Sequence, residues 1–205
     1  MDSSLTFNYH IDELIKKVTG TLIFLNRVWD RFQPECRVMA VQALILSVLN
    51  YCLPVWGSAN KTQINRAQKV LNFAARIAIG GAKKHDHVSP IFEQLKWLKI
   101  KPRYMYSTCL LIFKSLNNTL PEWVSALPTV MESRDNRVNT RYQNNLFIPR
   151  TATDTGARNF NVIGPKLWNQ LPRSITSCQS LNLFKTRLMQ YLLNTQNSQE
   201  SHLNI

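Results

Sequence analysis

The sequence predicts an all-α protein: a helical bundle followed by a loop-rich, partly irregular C-terminal region that ends in a helix. Three observations carry that expectation. Apolar residues recur at intervals of three and four over long stretches of the chain. Pro34, Pro90 and Pro102 stand where they would open helices, and Gly80-Gly81 stands where a helix would close. The 205 residues are 44% apolar with only 6 glycines, which suits a globular chain that buries roughly 70% of its unfolded surface.

From Ile11 to Phe32 the apolar positions Ile11, Leu14, Ile15, Val18, Leu22, Leu25, Trp29 and Phe32 mark a first amphipathic helix, slightly weakened by Gly20. Pro34 then suits the first turn of a second helix running to about Tyr51. That helix is apolar on nearly every face and lies in a window, Val38 to Asn60, without a single charge. Its well-formed apolar run is shorter than the ~20 residues a membrane span needs, so it reads as a core helix in the middle of a bundle. NYCLPVWGSA is its terminating turn, with Tyr51 and Trp56 packing the turn down and Pro54 and Gly57 redirecting the chain.

A third helix is expected from Asn60 or Lys61 to Ile79. At 100° per residue Ile64, Ala67, Leu71, Ala74, Ala75 and Ala78 share one side, while Lys61, Asn65, Gln68, Lys69, Asn72 and Arg76 form a polar, basic stripe on the other. Ser89 and Pro90 are placed as N-cap and first residue of a short helix, and Pro102 opens another. Between them Lys96, Lys99, Lys101 and Arg103 alternate with Trp97, Ile100 and Tyr104, a mixture of charge and stacking surface that single-strand and hybrid binders use.

Residues from about Met131 to Asn161 show no helical period and carry only arginine as base: Arg134, Arg137, Arg141, Arg150 and Arg158. Arginine's planar fork suits bidentate phosphate contacts, and it pairs equally with carbonyl groups at helix ends. GPKLWNQLP reads as a compact aromatic turn. Ser180 caps a last amphipathic helix through Leu181, Phe184, Leu188 and Leu192, and NTQNSQESHLNI reads as a frayed tail.

Charge narrows the function classes. The chain carries +13, and the excess is uneven: residues 1–60 are neutral, 61–120 hold 11 basic and 2 acidic groups, and 121–205 hold 9 and 5. An anionic partner follows, nucleic acid first among them. The four cysteines, Cys36, Cys52, Cys109 and Cys178, have no zinc-ligand spacing and read as reduced, mostly buried thiols. No phosphate-binding glycine loop, HExxH, GxSxG or Asp-Asp pair occurs, and His85-Asp86-His87 sits in a Lys-rich loop rather than on a helical face. Neither catalytic nor metal-ligating residues are therefore expected, and no cofactor. With no secretory signal at the start, an intracellular location in nucleus or cytoplasm is expected.

Read in order, MDSSLTFNYHID, LNYCLPVWGS, INRAQKVLNFAARIAIGG, LKWLKIKPR, LLIFKSLNNTLPEWV, NTR, LFIPR, FNVIGPKLWNQLP and SLNLFKTRLMQYL resemble the region that follows the catalytic palm in reverse transcriptases of non-LTR, jockey-like retrotransposons. The resemblance covers about residues 1–193 and implies the helical thumb and C-terminal region of an RNA-directed DNA polymerase, gripping template and primer. The palm's aromatic-x-Asp-Asp motif would lie upstream of Met1, so no catalytic residue is carried over.

The expected organisation is a thumb-like helical domain over 1–128, an Arg-containing irregular connection over 129–162, a helical segment over 163–193 and a disordered tail over 194–205. The expected function is a non-catalytic fragment binding RNA or an RNA–DNA duplex through its backbone. Lys69 and Arg76 would act from the third helix, Lys83 and Lys84 from the following loop, and Lys99, Lys101 and Arg103 from the next basic segment. Two rivals stand beside it: a domesticated helical interaction protein whose basic face meets an acidic protein, and a membrane protein anchored by Val38 to Trp56.

Overall fold

The computed structural model describes residues 6–80, 86–121 and 145–201, and these form helices and turns with no strand among the described residues. The all-α expectation holds. The chain makes two compact units, one drawn from residues 1–104 and 192–205, the other from 105–191. Both boundaries fall inside helices, and the division expected near residue 128 lies outside the described residues.

In the first unit α1 (Asn8–Val28) buries Ile11, Leu14, Val18, Leu22 and Leu25, the stripe its periodicity marks. It stops before Phe32, because a 3₁₀ turn (Trp29–Arg31) tightens the chain toward Pro34. The Arg37 guanidinium lies 4.6 Å from the centre of the Trp29 ring, and its Nε donates to the Phe32 carbonyl at 2.9 Å.

The second helix is continuous in path from α2 (Pro34–Val41) through a π turn (Gln42–Leu46) to α3 (Ser47–Asn50). It is not buried on every side. Val41, Ile45, Leu46 and Leu49 face α1 and the helix over Lys61–Ile79, whereas Met39 is 59% and Leu44 50% exposed. Its place is therefore at the edge of the packing rather than the middle. No helix among the described residues is long and apolar enough to cross a membrane.

Cys52 takes a left-handed conformation (φ 50°), and the chain then makes a single helical turn, α4 (Leu53–Trp56), with Pro54 in its first turn. Leu53 and Trp56 are buried, but Tyr51, expected to pack this turn down, is 70% exposed. Gly57 is required by approach rather than by dihedral: a Cβ there would run into the Tyr104 ring.

α5 (Lys61–Ile79) is capped by Asn60, whose side chain accepts from the Gln63 N–H at 2.9 Å. Ile64, Ala67, Leu71, Ala74, Ala75 and Ala78 are all buried, as their spacing predicts. Gly80 ends the helix at φ 73°, a conformation that suits glycine, with Arg37 and Trp29 crowding the space a side chain would need.

α6 (Ser89–Leu95) takes Val88, not Ser89, as its N-cap, and Lys96 closes it with φ 52°. α7 (Ile100–Leu116) begins two residues before Pro102. The frayed tail expected over 194–205 is helical as far as it is described: α11 (Leu181–Ser201) runs well beyond Leu192, and residues 202–205 lie outside the described ones. The reason is Gln196, a buried polar side chain whose Oε1 accepts from the Lys99 N–H at 2.8 Å while its Nε2 donates to the Trp97 carbonyl at 3.3 Å.

In the second unit Phe113, Trp168 and Phe184 form an aromatic stack, with Phe184 ring centres 4.3 Å from Phe113 and 5.7 Å from Trp168. α8 (Asp154–Ala157) and α9 (Phe160–Asn169) are capped by Thr153 and Asn159. Helical order thus begins inside the stretch expected to be irregular, and GPKLWNQLP falls largely within α9 rather than making an aromatic turn. Pro165 is tolerated there because the carbonyl it leaves unbonded belongs to Asn161, an exposed residue that water can serve. Asn169 ties Leu146 to this helix through both its amide atoms, at 2.9 and 3.0 Å. α10 (Arg173–Thr176) precedes α11, and Arg187 donates to the Ser174 carbonyl at 2.8 Å.

Candidate nucleic-acid interface

The residues expected to touch phosphate divide sharply once the chain is folded. Lys69 on α5 and Lys101 on α7 are exposed. They also belong to one neighbourhood, because the Gln68 Oε1 accepts from the Ile100 N–H at 2.8 Å and so seats the first turn of α7 against the middle of α5. Gln68 is thereby removed from the solvated stripe, and its Nε2 donates to Asn72 Oδ1 at 2.7 Å.

Arg103 is used by the protein itself. Its Nε and Nη2 donate to the Leu98 carbonyl at 3.3 and 3.2 Å, and its Nη1 donates to Asn50 Oδ1 at 3.2 Å. Burial pulls its pKa down to about 10, which still leaves it cationic at neutral pH. Lys99 is half-buried, with its ammonium 6.0 Å from the centre of the Phe92 ring, and burial lowers its pKa as well. Arg76 is half-buried and donates through Nη2 to the Asp86 carbonyl at 3.0 Å. Lys83 and Lys84 lie outside the described residues, as do Arg134, Arg137 and Arg141.

The stacking half of the expectation is overturned. Trp97, Ile100 and Tyr104 are buried, so the aromatic surfaces that alternate with the lysines in sequence face the core and offer no platform to a base. At the start of α7 the Lys99 and Ile100 N–H groups are already taken, by Gln196 and Gln68.

Two exposed cations join Lys69 and Lys101 in the same unit: Lys61 at the first position of α5 and Lys96 at the left-handed close of α6. Among the described residues none of these four makes an ion pair. By contrast Arg66, on the same helix, is held by Asp12 of α1. Lys61 was legible as the base of the polar stripe, but nothing in the sequence separates it from Arg66, which the fold neutralises.

Half of the cysteine expectation also changes: Cys109 and Cys178 are buried, while Cys36 and Cys52 are exposed, and all four are free thiols. Among the described residues no three His, Cys, Asp or Glu side chains come together as a metal would need.

Fold and surface together define a class: an all-α protein of two compact units, the first of which carries exposed, unpaired lysines on α5 and at the α6–α7 junction. No protein-family model, curated protein or solved structure matches the chain.

Proposed function

We propose that this chain is a non-catalytic helical module that holds a nucleic-acid backbone, RNA or an RNA–DNA duplex, without reading its sequence. The observation that carries this reading is the exposed pair Lys69 and Lys101, drawn together by the Gln68–Ile100 hydrogen bond within a stretch of eleven basic and two acidic residues. Such a surface supplies charge and no stacking, which is the chemistry of phosphate contact rather than base recognition. The role fits the thumb and C-terminal region of a non-LTR, jockey-like reverse transcriptase, which the ordered series of segments resembles.

The test is binding of the full chain to a labelled RNA–DNA hybrid, followed by fluorescence anisotropy from about 50 to 200 mM salt. Affinity should fall with a log–log slope of roughly −0.9 per phosphate contacted, taking B-DNA as the guide. Lys69→Ala and Lys101→Ala should each weaken binding evenly across sequences and reduce the slope by about 1. Salt-insensitive binding, or no binding by the folded protein at low salt, overturns the proposal. So does a variant pair that leaves nucleic-acid binding intact while abolishing capture of an acidic protein.

A further inference from the structure

A second site lies away from the lysines, where α1 begins and the chain turns into α4. A cavity of about 330 Å³ opens there, walled mainly by Phe7, Tyr9, Tyr51, Val55 and Trp56. Its volume is within the range of small-molecule and side-chain pockets. Phe7 (φ 57°) and Cys52 (φ 50°), both lining it, are two of the four non-glycine residues with positive φ among the described residues. Such conformations persist only where the surroundings hold them, so the wall is a defined one.

Two of the rings stand ready rather than packed. Tyr9 is 75% exposed and Tyr51 70%, although the pocket they border is lined mainly by apolar surface. Trp56 forms the floor, buried and fixed by its indole bond to the Tyr51 carbonyl. Four aromatic side chains from two separate stretches of chain therefore line one space.

The charge at this space is opposite to that of the whole protein. Glu13 lines it, one turn beyond Tyr9 on α1 and beside the imidazole of His10, and among the described residues no lysine or arginine does. Among the described residues the only ion pair Glu13 makes is a 4.0 Å contact with Lys16, both side chains solvated, and such a pair holds the carboxylate weakly. The positive end of α1 adjoins the same wall, but its partial charge is smaller than the full charge of Glu13 and is screened in water. Aromatic rings, whose faces carry partial negative charge, together with a carboxylate fit an apolar cation.

We propose that this pocket is an aromatic cage for the trimethylammonium head of a methylated lysine on a partner protein. The methyl groups match the apolar walls, the positive charge matches the ring faces and Glu13, and the aliphatic stem leaves over half-exposed Val55 at the rim. A choline head would bring a phosphate toward Glu13, and a nucleobase would bring none of the charge the cage is built to meet. The proposal is independent of the lysine surface and of its function.

The test uses the full chain and four small probes: acetyl-trimethyllysine amide, its neutral carbon isostere, phosphocholine and adenosine, titrated by NMR or calorimetry slightly above neutral pH. The trimethyllysine probe should bind at least about tenfold tighter than the isostere, the scale of a desolvated cation–π contact. Tyr9→Ala and Tyr51→Ala should each weaken it about tenfold, and Glu13→Gln severalfold, with unchanged melting curves because all three side chains are solvated. Equal binding of the isostere, preference for phosphocholine or adenosine, or indifference to both tyrosine substitutions in folded protein overturns the proposal.

Discussion

The indole Nε1–H of Trp56 donates to the carbonyl oxygen of Tyr51 at 2.9 Å, closing the turn between them over a left-handed Cys52. This bond, and not the Tyr51 ring, pins the turn that ends the charge-free segment. Trp56→Phe should cost about 1 kcal/mol from the lost hydrogen bond, plus the packing the smaller ring gives up, because the Tyr51 carbonyl can recover water. Gly57→Ala should be worse, about 1–3 kcal/mol, since its Cβ meets the Tyr104 ring and the Leu53 carbonyl. Urea denaturation of both variants measures the difference.

Gln196 gives a second prediction. Gln196→Leu keeps the bulk but leaves the Lys99 N–H and the Trp97 carbonyl without their partner, a loss of about 1–3 kcal/mol. Asn194→Ala, two residues earlier and exposed, should change stability by less than about 0.5 kcal/mol. Equal melting temperatures for the two variants would mean that the end of α11 contributes nothing.

Gly20 offers a gain. It sits inside α1, exposed, with nothing within 4 Å of where a Cβ would be. Gly20→Ala should therefore stabilise the protein by about 0.5–1 kcal/mol, through the lower helix cost of alanine. In a thermal melt that is a rise of roughly 1–4 °C for a chain of this size.

The thiols should separate by reactivity. Burial pushes the Cys109 thiol up from about 9 to about 12, so at pH 8 only about one molecule in ten thousand carries its thiolate there. A thiol reagent should label Cys36 and Cys52 in the native protein and reach Cys109 only after unfolding. The same shift has a sign in stability. Between about pH 9 and 12 the unfolded thiol loses its proton while the folded one keeps it, so this group's contribution is full below pH 9 and is lost as pH rises to 12.

Where a helix has a solvated face and a packed face, its residues declare both. α1 and α5 are of that kind: Ile11, Leu14, Val18, Leu22 and Leu25, then Ile64, Ala67, Leu71, Ala74, Ala75 and Ala78, lie buried as their spacing requires. The period of 3.6 residues is a local property, and one apolar stripe admits one orientation. The second helix lacked that contrast. Apolar on nearly every face, it gave no sign that Met39 and Leu44 would be left in solvent and Val41 and Ile45 taken inside.

The candidate interface was less legible than the fold. Lysines 69 and 101 could be found as cations on turns of helix, but no periodicity says which neighbouring cation a carbonyl will capture. Arg103 is held by Leu98 and Asn50, Arg76 by Asp86 and Arg66 by Asp12, and these partners are set by how elements meet. Composition and helical period thus determined on their own the all-α class, the faces of α1 and α5, and where positive charge concentrates. Only the tertiary structure decided that Trp97 and Tyr104 turn inward, that Gln196 draws a polar tail into helix, and that Tyr9, Glu13, Tyr51 and Trp56 share one pocket. Those outcomes depend on contacts between residues distant in the chain, whose energies no local pattern encodes.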